Sequence, residues 1–131
     1  MPLVRIDVLS ERNADNLTAL GDCVHQALTE TVDIPPDDLF QILTAHEPGR
    51  LRYDPRYLGV ERDDDIVFVN ITMRRGRADE QKTALYQRIV ELVEARTGVR
   101  PGNVFIGVTE NGSADWSFGE GKAQRLLQDS A

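Results

Sequence analysis

The sequence predicts an α/β (α+β) fold, with duplicated β-α-β units forming a four-stranded sheet, two helices on one face, and a short C-terminal extension. Three observations carry this prediction. Residues 3–9 (LVRIDVL) and 66–73 (IVFVNITM) place apolar side chains at every second position, the period of a strand. Leu17, Leu20, Val24, Leu28 and Val32 recur every three or four residues and form one face of an amphipathic helix, and Leu85, Ile89, Leu92 and Val93 mark a second helix. The halves also align at a constant offset of 65 residues: Val4, Ile6 and Val8 fall on Val69, Ile71 and Met73, and Leu20, Val24 and Leu28 fall on Leu85, Ile89 and Val93.

The elements follow in order. A strand over residues 3–9 leads to a helix from about residue 14 to 32. Ile34-Pro35-Pro36 stops that helix, because proline offers no amide hydrogen to its ladder. A second strand covers residues 39–44 (LFQILT). Residues 47–65 are a long excursion with turn signals at Pro48-Gly49, Asp54-Pro55 and Gly59, read as a short hairpin. The pattern then repeats as strand 66–73, helix 79–97 and strand 104–109, with residues 36–40 falling on 101–105 and Thr44 on Thr109. We read one domain over residues 1–131, with halves at about 2–46 and 66–110 and a tail that ends in a short helix. Right-handed crossovers put both helices on one face of the sheet. The other face carries Leu3, Leu9, Ile66 and Phe68 among Arg5, Asp7, Asn70 and Thr72. A face that apolar predicts cover by further copies in a closed symmetric oligomer.

Composition narrows the function. The 131 residues are 40% hydrophobic and 28% charged, within the range of a globular chain. No stretch reaches the ~20 apolar residues that span a bilayer, and no basic region followed by an apolar core marks a signal peptide, so we expect a cytoplasmic protein without a membrane partner. Twenty-two acids against fifteen bases give a net charge of -7, which repels phosphates and argues against a nucleic-acid partner. Cys23 is the one cysteine, so no internal disulfide or cysteine zinc cage is expected. His25 and His46 have no metal-ligand spacing to each other or to Cys23, and His25 reads as a helix boundary residue.

Four groups of residues can carry chemistry. Pro2 becomes a free secondary amine if Met1 is removed; such an amine titrates near pH ~8 and serves as base, cationic acid or carbonyl nucleophile. The plain alternative is a proline tolerated where a strand begins. Arg74, Arg75 and Arg77, around Gly76 at a strand end and helix start, suit a carboxylate or phosphate held by guanidinium forks. The alternative is a solvated loop paired with Asp79 and Glu80. Asp37 and Asp38 lie in the turn before the second strand, either facing solvent or orienting a water beside Pro2. Trp116 and Phe118, in a glycine-flanked loop, are a tail anchor or the apolar wall of a small pocket.

These residues together resemble the tautomerase superfamily, and most of all its malonate semialdehyde decarboxylase family. The matching pieces are Met1-Pro2-Leu3, PPDDLFQ at residues 35–41, Arg75-Gly76-Arg77 followed by EQK at 80–82, and Glu110-Asn111 leading to ADWSFG at 114–119. The resemblance implies a β-α-β fold, a homotrimer, and chemistry at the amino-terminal proline with neither metal nor organic cofactor. It makes Pro2 the protonated catalytic group and Asp38 the essential aspartate, anchored by Phe40-Gln41. Arg75 and Arg77 become the substrate arginines and Trp116 and Phe118 the pocket wall. One extra residue between Gly59 and Arg75 lets Arg74 take the place of Arg75. Gly76 stands where the family pattern has proline, and Arg125 where it has a pocket aromatic. The implied function is decarboxylation or hydration of a small β-oxo or unsaturated carboxylic acid. The alternatives are a keto-enol tautomerase or haloacrylate dehalogenase of the same superfamily, or a non-catalytic trimeric carboxylate-binding module.

Overall fold

The structure, a computed structural model, describes residues 2–129. Strand β1 (Leu3–Leu9) runs straight into a short helix α1 (Ser10–Asn13), a 3-10 turn at Ala14–Asn16 and helix α2 (Leu17–Thr31). Strand β2 (Gln41–His46) closes the first β-α-β unit. The second unit is β3 (Val67–Arg74), α3 (Asp79–Thr97) and β4 (Val104–Asn111), and the tail ends in α4 (Gln124–Asp129). The sheet order is β2-β1-β3-β4, with β1/β2 and β3/β4 parallel and the central β1/β3 pair antiparallel.

The alternation read from the strands decides the core. Val4, Ile6, Val8, Val67, Val69, Ile71 and Met73 face the helices and pack with Leu20, Val24 and Leu28 of α2 and Leu85, Ile89 and Val93 of α3 in one cluster. Both helices therefore cover the same sheet face, as the 65-residue offset predicts. Burying a side chain of this size contributes roughly 1.5–3 kcal/mol, which outweighs the weak propensity of the β-branched residues in α3. Gly98 ends α3 at φ 77°, a left-handed cap that glycine adopts without steric cost.

Several expectations need correction. Residues 14–16 form a 3-10 turn rather than the start of α2, and helical backbone already begins at Ser10. Asn13 explains the break: it is 2% exposed, donates its Nδ2 to Asp65 O at 2.9 Å, and accepts from Asn16 Nδ2 at 2.9 Å. The second strand begins two residues later than read, at Gln41, because residues 35–38 close a turn through Asp38 N–H to Pro35 O at 3.0 Å. The excursion forms no hairpin; its one regular piece is a 3-10 turn at Tyr57–Gly59. Arg62 Nη1 donates to the carbonyls of Asp54, Tyr57 and Val60 at 3.1–3.2 Å, so those acceptors meet a guanidinium instead of a partner strand.

The helix-free face of the sheet remains open in the single chain, with Ile42 and Phe105 exposed on its edge strands. Phe68 and Phe105 pack ring on ring at 5.1 Å, and His46 Nε2 lies 2.6 Å from Asp7 Oδ1. Leu9 and Ile66 are buried, at 6% and 0%, yet lie outside the cluster that packs against α2 and α3. Ile66 stands just before β3, where its N–H closes a turn onto Asp63 O at 3.0 Å.

Candidate active site

Topology gathers the singled-out residues at one end of the sheet. Leu3 pairs with Thr72 in the antiparallel register, so Pro2 stands beside the end of β3, from which Arg74 to Arg77 continue. Val4 N–H donates to Phe40 O at 3.1 Å, which brings the Asp37-Asp38 turn to the same end. Arg74 pairs with Asn111, so the loop bearing Trp116 and Phe118 leaves from there as well.

Pro2 is buried and, with Leu3, Phe40, Trp116, Ser117 and Phe118, lines a cavity of about 280 Å³. Trp116 and Phe118 stack nearly parallel, 8° apart with centroids at 5.6 Å, and Phe40 lies 6.3 Å from Phe118. Three rings thus form one apolar wall beside the proline. Trp116 is held by its Nε1–H, which donates to Asn111 Oδ1 at 2.6 Å. Asp38 is half-buried, with Oδ2 out of contact with water. It lines an adjoining cavity that shares Phe40 and Phe118 with the Pro2 cavity.

The arginines form a separate depression of about 320 Å³, lined by Val32, Asp33, Arg74, Arg75, Gly76, Arg77 and Gln81. It shares no lining residue with the Pro2 cavity in the single chain. Gly76 adopts φ 130°, a conformation a side chain would strain, and this lets Arg75 and Arg77 leave the strand end on one loop. Arg75 N–H donates to Asn111 O at 2.7 Å, and its guanidinium lies against Gly112, the first residue of the aromatic loop. Arg77 Nη1 donates to Arg74 O at 3.0 Å. Arg74 is a strut: its Nη1 donates to Ser113 Oγ at 3.1 Å and pairs with Asp129 at 3.2 Å. The Ser113 hydroxyl, which also donates to Asp129, and the Arg74 charge hold that carboxyl below the usual aspartate range.

Several residues that matter here carry no role in the sequence reading. Asn111 binds Trp116 through its side chain and Arg75 through its backbone. His25 Nε2 donates to Pro36 O at 2.7 Å and so braces the Asp37-Asp38 turn from α2. Phe40 is part of the wall, and Gln41 Nε2 donates to Gly21 O at 2.8 Å, which ties the start of β2 to α2. The EQK stretch is scaffolding. Gln81 Oε1 accepts from Ala78 N–H at 3.0 Å at the start of α3, and Lys82 Nζ pairs with Glu110 at 2.8 Å. A sequence signal existed for Asn111 alone, which precedes the aromatic loop; the His25 contact joins residues that only the fold brings together.

A β-α-β sheet with a proline at the start of β1, an aromatic wall and an arginine loop at one end has the architecture of a tautomerase. Two family models described as tautomerase enzyme match, over residues 38–119 and 2–60, and the chain belongs to the tautomerase family. It is 40% identical to probable tautomerase YusQ of Bacillus subtilis (strain 168), over 96% of this chain and 99% of that protein. The crystal structure of FG41 malonate semialdehyde decarboxylase inhibited by 3-bromopropiolate is 40% identical, with a TM-score of 0.88 over 97% of this chain and 96% of that one. A second malonate semialdehyde decarboxylase, solved in wild-type, mutant and inactivated forms to explain decarboxylase and hydratase activities, is 31% identical, with a TM-score of 0.88 over 97% and 98%. A fused 4-OT wild-type symmetric trimer shares the fold, at 19% identity and a TM-score of 0.74 over 95% and 98%.

Proposed function

We propose that this tautomerase is a cofactor-independent decarboxylase or hydratase of a small β-oxo or unsaturated carboxylic acid, working through the amine of Pro2 after Met1 is removed. One observation carries the reading: Pro2 is buried in a cavity walled by Phe40, Trp116 and Phe118. The similarity to two malonate semialdehyde decarboxylases over nearly the whole chain supports it.

In this reading Arg75 and Arg77 hold the substrate carboxylate as a charge-assisted pair and turn it out of the carbonyl plane. The cationic Pro2 amine donates to the aldehyde oxygen. The bond from the central carbon to the carboxylate breaks, carbon dioxide leaves, and the electron pair passes into an enolate that Pro2 stabilises. A proton delivered to that carbon yields the aldehyde product. The aromatic wall keeps water from the reacting carbon and strengthens the charge interactions beside it. Asp38 positions Pro2 or a water, and the water serves hydration of an unsaturated acid. Arg74 holds the tail and lines the same arginine depression, so it is the second candidate for the carboxylate. A homotrimer covers the open sheet face.

A second reading, keto-enol tautomerisation of a 2-oxo acid, is favoured by the similarity to a protein named as a probable tautomerase. There Pro2 moves a proton between carbon and oxygen and no carbon–carbon bond breaks. The test combines intact mass with carbon dioxide release from malonate semialdehyde, on the native protein and Pro2→Ala. Turnover by the Met1-cleaved protein that is lost in the variant supports the decarboxylase. A free Pro2 with enol–ketone exchange and no carbon dioxide release selects the tautomerase. Ligand binding unchanged by Pro2→Ala, with no turnover of any acid, makes the chain a binding module.

A further inference from the structure

The Pro2 cavity has a neighbour on the other side of Phe40 and Phe118. These rings also line a neighbouring cavity of about 340 Å³, together with Pro35, Asp37, Asp38, Gln124, Arg125 and Gln128. We propose that this second cavity is a subsite for the distal carboxylate of a dicarboxylic oxo acid, with Arg125 as the anchoring cation. The proposal rests on the reading of the Pro2 cavity as the reaction site.

Placement comes first. Phe40 and Phe118 border both cavities, so a substrate with its reacting carbon beside Pro2 and a second group beside Arg125 would lie along these two rings. A three-carbon acid stays within the Pro2 cavity, whereas a longer acid reaches the neighbouring one.

Arg125 is also held in position rather than swinging on a loose tail. Helix α4 is fastened at both ends. Gln124 Oε1 accepts from Phe118 N–H at 2.9 Å and Gln124 Nε2 donates to Gly119 O at 3.0 Å, which tie its start to the aromatic loop. At its end Asp129 pairs with Arg74 at 3.2 Å and accepts from Ser113. Arg125 is half-buried, and its Nη1 donates to Gln128 Oε1 at 2.9 Å, which fixes one arm of the guanidinium fork. A guanidinium carries five N–H donors in a plane, a shape that matches a carboxylate in bidentate fashion.

The charges around it set selectivity. Asp37 and Asp38 line the same cavity, Asp37 exposed at its rim and Asp38 half-buried. An anion that stops short of Arg125 meets their repulsion, while one that reaches Arg125 is compensated. The cavity is therefore no general anion trap; it selects acids whose second carboxylate lies at the right distance.

The test measures binding of two five-carbon acids, glutarate and valerate, to the full chain by NMR titration. Glutarate should bind the native protein about tenfold more tightly than valerate, the discrimination of one charge-assisted contact. Arg125→Gln should erase that advantage, and Arg125→Lys, which keeps the charge and loses the fork, should retain part of it. Asp37→Asn should act in the opposite direction and tighten glutarate by roughly two- to threefold by removing a like charge. Valerate should move less than twofold in all three variants. Equal affinity for the two acids in the native protein overturns the proposal. So does an Arg125→Gln variant that keeps the glutarate advantage, or an Asp37→Asn variant that weakens it. None of these readouts needs turnover, so failure of the Pro2 reading shows separately, as turnover that survives Pro2→Ala.

Discussion

Replacing Asn111 separates the wall of the candidate site from the rest of the fold. Its Oδ1 accepts the indole N–H of Trp116 at 2.6 Å, and its backbone oxygen accepts Arg75 N–H at 2.7 Å. Asn111→Leu keeps the backbone bond and removes the side-chain acceptor. The net loss of one hydrogen bond is about 1 kcal/mol, with a further penalty for a half-buried indole N–H left without an acceptor. For a chain of this length that lowers the melting temperature by roughly 3–5 °C. The functional effect should be larger than the stability effect, because Trp116 stacks on Phe118 at 5.6 Å and both line the Pro2 cavity. A displaced wall of about 1 Å can cost up to ~100-fold in rate, and we expect kcat/KM to fall about tenfold. Asn111→Asp keeps an acceptor oxygen at the same place and should stay within about threefold of the native enzyme. Trp116 is the one tryptophan in the chain, so its fluorescence reports the wall directly. Asn111→Leu should shift the emission toward that of a more exposed indole, and Asn111→Asp should not. The reasoning is refuted if Asn111→Leu leaves emission and kcat/KM unchanged, or if Asn111→Asp falls as far as Asn111→Leu.

Three further outcomes follow from contacts away from the wall. His25→Leu removes the donor that braces Pro36 O at 2.7 Å, and should lower kcat roughly threefold to tenfold with little change in KM; combined with Asp38→Asn it should have no additional effect, and additive losses in that double-mutant cycle would place His25 outside the Asp38 turn's function. The Asp129 carboxyl, held below the usual range first by Ser113 and then by Arg74, contributes to docking α4 at pH values above its unfolded pKa near ~4, and that contribution disappears as pH falls through the lower folded pKa. The protection factors of the α4 amides, taken relative to their intrinsic exchange rates at each pH, should therefore fall on acidification in the native protein, and Asp129→Asn should show low protection at every pH. Asn103→Ala should destabilise the fold by about 2–3 kcal/mol in urea unfolding without altering kcat/KM, because Asn103 is fully buried, donates to Asp63 Oδ1 and accepts from Asp63 N–H, each at 2.9 Å.

The frame of the molecule was legible because burial imposes a period on sequence. Val4, Ile6 and Val8 could be placed against Leu20, Val24 and Leu28 with no structure, since a strand with one covered face and a helix with one covered stripe leave different spacings. Pro2, Trp116 and Phe118 were legible as one site only through resemblance; spacing in the chain says nothing of a proline and an indole more than a hundred residues apart. What escaped reading has a common physical origin. The brace from His25 to Pro36, the Arg62 contacts that replace a hairpin and the Asn13 contact that breaks the first helix all join side chains to backbone oxygens. Any polar residue can make such a bond, so no residue type announces it.

The internal repeat bears on why the candidate site residues gather at one end of the sheet. Because β1 and β3 run antiparallel, the two β-α-β units point in opposite directions, and each position has its counterpart at the far end. Asp38 corresponds to Asn103, and Arg77 to Arg12, across the 65-residue offset. The two ends use these positions differently. At the far end Asn103 is fully buried against Asp63, Arg12 pairs with Asp65 at 3.1 Å, and Arg100 pairs with Asp63 at 3.2 Å. There the polar groups satisfy one another and fasten the excursion to the sheet, and the Asp63 carboxyl is held low, first by the Asp65 amide and then by Arg100 and Asn103. At the near end Asp38 and Arg77 line cavities instead. A polar group buried against its partners is closed to a ligand, whereas one that lines a cavity can present a donor or acceptor to it. A duplicated unit thus starts with two equivalent ends; at the far end the corresponding positions are bonded into the fold, and at the near end they border cavities, which makes the near end the candidate for ligand binding.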